Sequence, residues 1–191
     1  MRDRPLVDVV VKVGGGLLAH PAHFDAALGT LADAASSQRL LIVPGGGPFA
    51  DAVRHVDRQL KLTDEAAHWM AVLAMDQYAH LLASRLRSAE LVTDLHDIAA
   101  ALGNARLPVL APSRWIQEVD PLPHSWDVTS DSISAWVAGM VGARRLVLVK
   151  PPGAGAGAVD PYFHRIIPAD FPSPVIVPAD QADALRRSLT V

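Results

Sequence analysis

Short runs of valine, isoleucine and leucine alternate along this chain with longer stretches whose apolar positions recur every three or four residues. The first run, LVDVVVKV at residues 6–13, predicts a buried strand. Gly14, Gly15 and Gly16 stop it. Over residues 21–36, Phe24, Ala27, Leu28, Leu31 and Ala35 recur at helical spacing. Residues 39–43 predict a second buried strand, closed by Pro44, Gly45, Gly46 and Gly47. Pro48 then suits the first turn of a helix, where its missing N–H costs nothing.

Thr63 is a good N-cap, and Asp64 and Glu65 sit in the positive first turn of a helix expected to run to about Arg87. Its middle, residues 66–75, is apolar almost all round apart from His68. Such a helix must be covered on more than one side. A sheet can cover one side, and a partner subunit is the expected cover for the other, with an internal helix of a single domain as the alternative. Residues 90–93 and 107–111 predict two short strands flanking a helix at 94–102. Residues 115–126, with prolines and histidine, read as loop. Thr129 can cap a helix reaching about Val141, and Gly142 can end it. Further strands are expected at 145–149 and 175–177, and a last helix at 181–189. Residues 151–158 hold only proline, glycine and alanine. Strand–helix alternation of this kind predicts an α/β fold: a three-layer αβα sandwich with a mostly parallel central sheet.

Composition narrows the function. The 191 residues fit one domain with a sizeable core. A net charge of -3 argues against a dedicated nucleic-acid binder. The absence of cysteine excludes a disulfide scaffold, a thiolate metal site and a cysteine nucleophile. No apolar run approaches the roughly 20 residues of a membrane span. The charged start, Met1, Arg2, Asp3 and Arg4, is followed by an apolar stretch interrupted by Asp8, unlike a signal peptide. A cytoplasmic protein is therefore expected. Of seventeen basic residues only Lys12, Lys61 and Lys150 are lysine, which makes the place of each informative.

Both glycine triplets follow a buried strand and precede a helix. That is the geometry of an anion site, because glycine lets the backbone approach and helix N-termini favour negative charge. Neither triplet is a dinucleotide fingerprint or a P-loop. In an open α/β sheet, strand C-termini are where ligands bind. Lys12 lies two residues before the first triplet, inside a valine-rich strand, where a lysine is costly unless paired or used. It reads as a phosphate ligand, or else as a side chain reaching out of the strand end. Lys150 ends a strand in the same way. Lys61, between Leu60 and Leu62, is expected to face solvent. Asp127, Thr129, Ser130, Asp131 and Ser132 form a cluster that reads either as a helix cap or as a site in which a carboxylate orients a lysine or assists a metal–phosphate complex. The eight histidines show no metal-ligand spacing, and no metal ligands are expected.

Taken in order, VVVKVGGGLL (9–18), IVPGGGPFAD (42–51), WDVTSDSISAWVA (126–138) and LVLVK (146–150) resemble the amino acid kinase superfamily. MDQYAH (75–80) and VDPYF (159–163) resemble its branch of small aminomethylfuran phosphate kinases of methanofuran-type biosynthesis. The resemblance implies phosphotransfer from ATP with Mg2+ to a small phosphorylated or carboxylated metabolite. It implies that Lys12 binds the transferring phosphoryl group, that Gly14, Gly15 and Gly16 serve the nucleotide phosphates, and that Gly45, Gly46 and Gly47 hold the acceptor. Asp131 would orient the catalytic lysine, with Lys150 as the second cation and Asp127 and Thr129 on the substrate side. Helix 63–87 would match the family's dimer helix, giving a homo-oligomer or a related partner subunit.

This chain departs from the family pattern at several points. Gly16 stands where relatives carry serine, and Lys150-Pro151-Pro152-Gly153 replaces an aspartate-rich turn. No lysine follows Lys150, so Lys150 or Arg165 is left to act for the later lysine of relatives. The expected organisation is one domain over 1–191, with an acceptor-binding part at 1–143 and a shortened nucleotide-binding part at 144–191. A non-catalytic relative that binds a ligand or a partner subunit is the alternative reading.

Overall fold

A computed structural model describes residues 5–155, 157–167 and 171–191; the charged start at 1–4 lies outside them. Six strands form one sheet: β1 (Val9–Val13), β2 (Leu40–Pro44), β3 (Ala89–Val92), β4 (Leu107–Leu110), β5 (Arg145–Lys150) and β6 (Val175–Pro178). Their order across the sheet is β3-β4-β2-β1-β5-β6, and every pairing is parallel. The valine- and leucine-rich runs become β1, β2, β4 and β5 because a parallel sheet covered on both faces buries its central strands, here every residue of the four except Arg145.

The helices are α1 (Pro21–Ala34), α2 (Gly47–Leu60), α3 (Asp64–Arg85), α4 (Leu95–Gly103), α5 (Ser113–Val119), α6 (Ser130–Met140), α7 (Phe163–Ile166) and α8 (Ala182–Ser188). The side-chain period of two divides the sheet's apolar residues between two cores. Val9, Val11 and Val13 join Leu28 and Leu31 of α1 and Leu185 of α8 on one face. Val10, Leu146 and Leu148 join Ile133 and Val137 of α6 on the other.

Several elements differ from expectation. Residues 115–119, read as loop, lie in α5, where Trp115 and Ile116 are buried. Seven residues are too few for periodicity to register, and the stabilisation comes from tertiary packing of that face. The four-residue α7 was likewise unforeseen. The first glycine triplet leads into a 3₁₀ turn, Gly15–Ala19, before α1 begins.

The all-round apolarity of α3 has an explanation inside the chain. Val72 and Met75 belong to one core, and Tyr78, Ala79 and Leu82 to the other, so α3 bridges both faces of the sheet. Thr63 caps it as expected, accepting from the Ala66 N–H at 3.2 Å. Met70 and Leu73 remain exposed. Lys61 is exposed too, in a left-handed conformation at the end of α2.

Candidate active site

Parity and register assemble the centre of the site. Lys12 shares a sheet face with Val10, and Lys150 shares it with Leu146 and Leu148, because alternate residues of a strand point the same way. β1 and β5 are neighbours, with Lys12 opposite Leu148. Both lysines therefore emerge side by side at the C-terminal edge, on the face covered by α6. The first turn of α6 carries Asp131 to meet them. Lys12 Nζ stands 2.9 Å from Asp131 Oδ1 and Lys150 Nζ 2.6 Å from Oδ2. All three side chains are buried.

One carboxylate thus touches two ammonium groups, and one positive charge has no contacting counterion among the described residues. Burying unpaired charge is strongly unfavourable, so this arrangement favours an incoming anion. Burial pushes Lys12 down, Asp131 opposes that and Lys150 adds to it, leaving the ammonium below its ordinary range. Burial alone would raise the Asp131 carboxyl. The two lysines outweigh it and hold Asp131 below the usual carboxylate value.

The lysine pair lines a pocket of about 370 Å³. Gly15, Gly16, Gly46 and Gly47 line it beside the lysines. The two glycine loops lie backbone against backbone: a Cβ on Gly15 would stand 2.1 Å from the Gly47 N and 2.2 Å from its Cα. Only glycine permits that approach, and Gly47 also has a φ of 56°. Gly15 and Gly16 open the 3₁₀ turn and Gly47 opens α2, so their N–H groups are those a helix start leaves without an intrahelical partner.

The triplets are not uniform, however. The Gly14 N–H donates to Val149 O and the Gly45 N–H to Val13 O, each at 2.8 Å. These two N–H groups are therefore taken up at the sheet edge. Neither residue lines the pocket. The Gly14 carbonyl in turn accepts from the buried Tyr78 hydroxyl at 3.3 Å, which ties the first loop to α3. Burial raises the Tyr78 phenol, which keeps it a donor.

The lining also includes the apolar side chains of Ala50, Ala67, Val72, Met75, Val128 and Ile133. Trp126 walls it, held by donation from Nε1 to Asp57 Oδ2 at 2.8 Å and by Arg54, whose guanidinium carbon lies 4.9 Å from the indole centroid. His68 also lines it, stacked on His124 at 4.3 Å. Burial first, and His124 second, push the His68 imidazole down to about 4, so it is neutral near pH 7.

The aspartate–threonine cluster divides. Thr129 lines the pocket and occupies the N-cap position of α6, but its side chain does not cap the helix; the hydroxyl donates to Asp160 at 2.8 Å. Asp127 is exposed and lies outside the pocket lining. Arg165 is exposed on α7, with its guanidinium near the Tyr162 ring, and also lies outside the lining. Arg54 and His68 received no site role in the sequence, and Asp160 was noted only as part of VDPYF. The signals were faint: an arginine on a polar helix face, one histidine in an apolar helix, and an aspartate after a glycine–alanine tract. Asp94, His96 and Asp97 cluster at the start of α4, where both aspartates serve as local caps.

The arrangement does not make a protein-held magnesium cage. Both Asp131 oxygens face ammonium groups, and Asp160 accepts four hydrogen bonds. It fits instead a site that receives an anionic group, positions it with backbone N–H donors and neutralises it with two lysines.

A model of the amino acid kinase family matches residues 9–151. The chain is 28% identical over 139 residues to [5-(aminomethyl)furan-3-yl]methyl phosphate kinase of Methanocaldococcus jannaschii, which covers 73% of this chain and 63% of that protein. Its fold is similar to uridylate kinase of Archaeoglobus fulgidus, with a TM-score of 0.58 at 18% identity, covering 80% of this chain and 68% of that one. UMP kinase of Bacillus anthracis superposes with a TM-score of 0.57 at 17% identity, covering 85% and 72% respectively.

Proposed function

The chain belongs to the amino acid kinase family, and from that premise we propose that it transfers a phosphoryl group from Mg-ATP to a small phosphorylated metabolite. The observation that carries this reading is the buried Lys12–Asp131–Lys150 cluster lining the same pocket as the glycine loops. Phosphoryl transfer asks mainly for positioning and charge stabilisation, which is what two ammonium groups and backbone donors supply. Lys12 and Lys150 flank the transferring group, and Asp131 holds them apart and oriented. Gly15, Gly16, Gly46 and Gly47 bind phosphate oxygens. Magnesium enters with the nucleotide, carried mainly by its phosphates.

The apolar side chains in the lining suit a compact, largely unsaturated acceptor. The resemblance to the furan phosphate kinase makes a phosphate monoester of an aminomethylfuran the first acceptor to test, in C1-cofactor biosynthesis of methanofuran type. Residues 1–143 carry the acceptor side and 144–191 the nucleotide side. Assembly through α3, around exposed Met70 and Leu73, completes the proposal.

The test is nucleotide binding followed by turnover. Mg-ATP raises the thermal midpoint of the chain, as linkage requires of a ligand that prefers the native state. Lys12→Ala abolishes ADP release with the furan phosphate as acceptor. Unchanged turnover in that variant would remove Lys12 from the mechanism. The Lys150-Pro151-Pro152-Gly153 turn, a departure from the family pattern, favours a second reading, a non-catalytic ligand-binding relative. An unshifted midpoint at millimolar Mg-ATP selects it.

A further inference from the structure

Asp160 lies at the far end of the glycine–alanine segment that follows Lys150, and it is buried. It accepts from the Thr129 N–H at 3.0 Å, the Thr129 hydroxyl at 2.8 Å, the Ser132 N–H at 3.0 Å and the Ser132 hydroxyl. Thr129 is the N-cap residue of α6 and Ser132 its third helical residue, so these are the groups a local capping side chain would serve. Thr129 does not do so, and a carboxylate some thirty residues later in the chain takes its place. The negative charge sits at the positive end of the helix, where it is favourable.

Asp131 lies between the two residues that Asp160 holds. The same turn of α6 is therefore gripped twice by the segment after β5: Lys150 bonds to Asp131 at its start, and Asp160 bonds to Thr129 and Ser132 at its end. Two further contacts seat that end. The Tyr162 N–H donates to Asp127 O at 3.1 Å, and Phe163 is buried in the core beneath α6.

We infer that Asp160 is a positioning residue: by capping α6 from a distant segment it sets where Asp131 stands between Lys12 and Lys150, and hence the spacing of the two ammonium groups that receive phosphate. The inference rests on the reading of that cluster as the phosphate site.

Charge and position oppose each other in the test. Asp160 is also a negative charge in the neighbourhood of Lys12. Removing it would by electrostatics alone tighten the binding of an anion. Removing its grip on α6 loosens the lysine pair and weakens binding. The probe is inorganic pyrophosphate, titrated calorimetrically into the full chain. Asp160→Asn keeps the size but sets an amide against four donors, and is expected to raise the pyrophosphate Kd about tenfold, the scale of a lost charge-assisted hydrogen bond. A merely structural role would lower the melting midpoint while leaving the Kd of the folded protein alone. A Kd that is unchanged or falls in the folded variant overturns the inference, as does an unaltered chain that binds no pyrophosphate. Should Asp160→Asn fail to fold, Ser132→Ala removes one of the four bonds without changing charge. It is expected to raise the Kd about threefold, and an unchanged Kd there is equally fatal. Turnover of Mg-ATP by the unaltered chain, with the furan phosphate as phosphoryl acceptor, is measured alongside. Pyrophosphate binding without turnover ends the kinase reading while the direction of the Asp160→Asn change still judges the positioning role.

Discussion

Replacing Asp131 by asparagine keeps its shape and removes the one carboxylate that contacts both buried lysines. Two ammonium groups, held 2.9 and 2.6 Å from that carboxylate, are then left facing one another without a counterion. Breaking a buried ion pair by removing one partner costs about 3–5 kcal/mol. At about 2–4 °C per kcal/mol for a domain of this size, the thermal midpoint should fall by roughly 6–20 °C.

The pH dependence carries the sharper test. In the parent, Asp131 sits below its ordinary value, so its contribution is present above the ordinary carboxylate range and is lost as pH falls through the folded value. In the variant, Lys12, already lowered by burial, loses the partner that opposed that lowering. Between its folded and unfolded values the unfolded chain binds more protons, so the variant gains stability as pH rises. The gap between parent and variant should therefore narrow from pH 7 to pH 9.5. Equilibrium urea denaturation followed by tryptophan fluorescence at both pH values measures it. A loss under about 1 kcal/mol at pH 7, the scale of an exposed ion pair, would refute the reasoning. So would a gap that widens with pH.

Other expectations follow from single contacts. Gly15→Ala places a methyl 2.1 Å from the Gly47 backbone, so it should destabilise by about 1–3 kcal/mol or more and disturb anion binding. Gly103→Ala, with open space around the new methyl, should be neutral or stabilise by about 0.4–1 kcal/mol in the same urea assay. His68, lowered to about 4, binds its proton more readily in the unfolded chain; its contribution is full above the ordinary histidine value and declines as pH falls from there through 4. Lowering the pH from 7 to 4.5 should remove about 2–3 kcal/mol through this group, a loss that His68→Gln should largely abolish. Leu73→Glu should convert an α3-mediated dimer to monomer in light scattering at micromolar concentration, and a parent chain that is already monomeric would refute assembly through α3.

Much of the fold was legible because its signals are local. Short valine- and leucine-rich runs ended by glycine fit buried strands, and these became β1 and β2. Thr63 followed by two acids marked a helix start that the structure reproduces. The three charged residues at the centre of the site were also visible. A lysine in a valine strand, a second lysine at a strand end and an aspartate in a helix's first turn are each costly or conspicuous on their own. What stayed illegible depends on partners distant in sequence. The α5 turn exists because Trp115 and Ile116 find a core to enter. Asp127 and Thr129 read alike in sequence, yet one faces solvent and the other faces the pocket and Asp160.

By itself, then, the sequence determined which residues must be strand, which glycines must break it, and which lysines are too expensive to bury without purpose. Hydrophobic periodicity and the desolvation of charge are properties of short segments, and they act before the chain has a shape. Tertiary structure alone decided how those pieces meet. Strand order put β1 beside β5, and side-chain parity turned Lys12 and Lys150 to the same face. It also committed the Gly14 and Gly45 N–H groups to the sheet edge while leaving Gly15 and Gly47 on the pocket. Asp160 became a cap for a helix far earlier in the chain. No local rule encodes these outcomes, because each hydrogen bond joins groups that only the packed sheet and helices bring within reach.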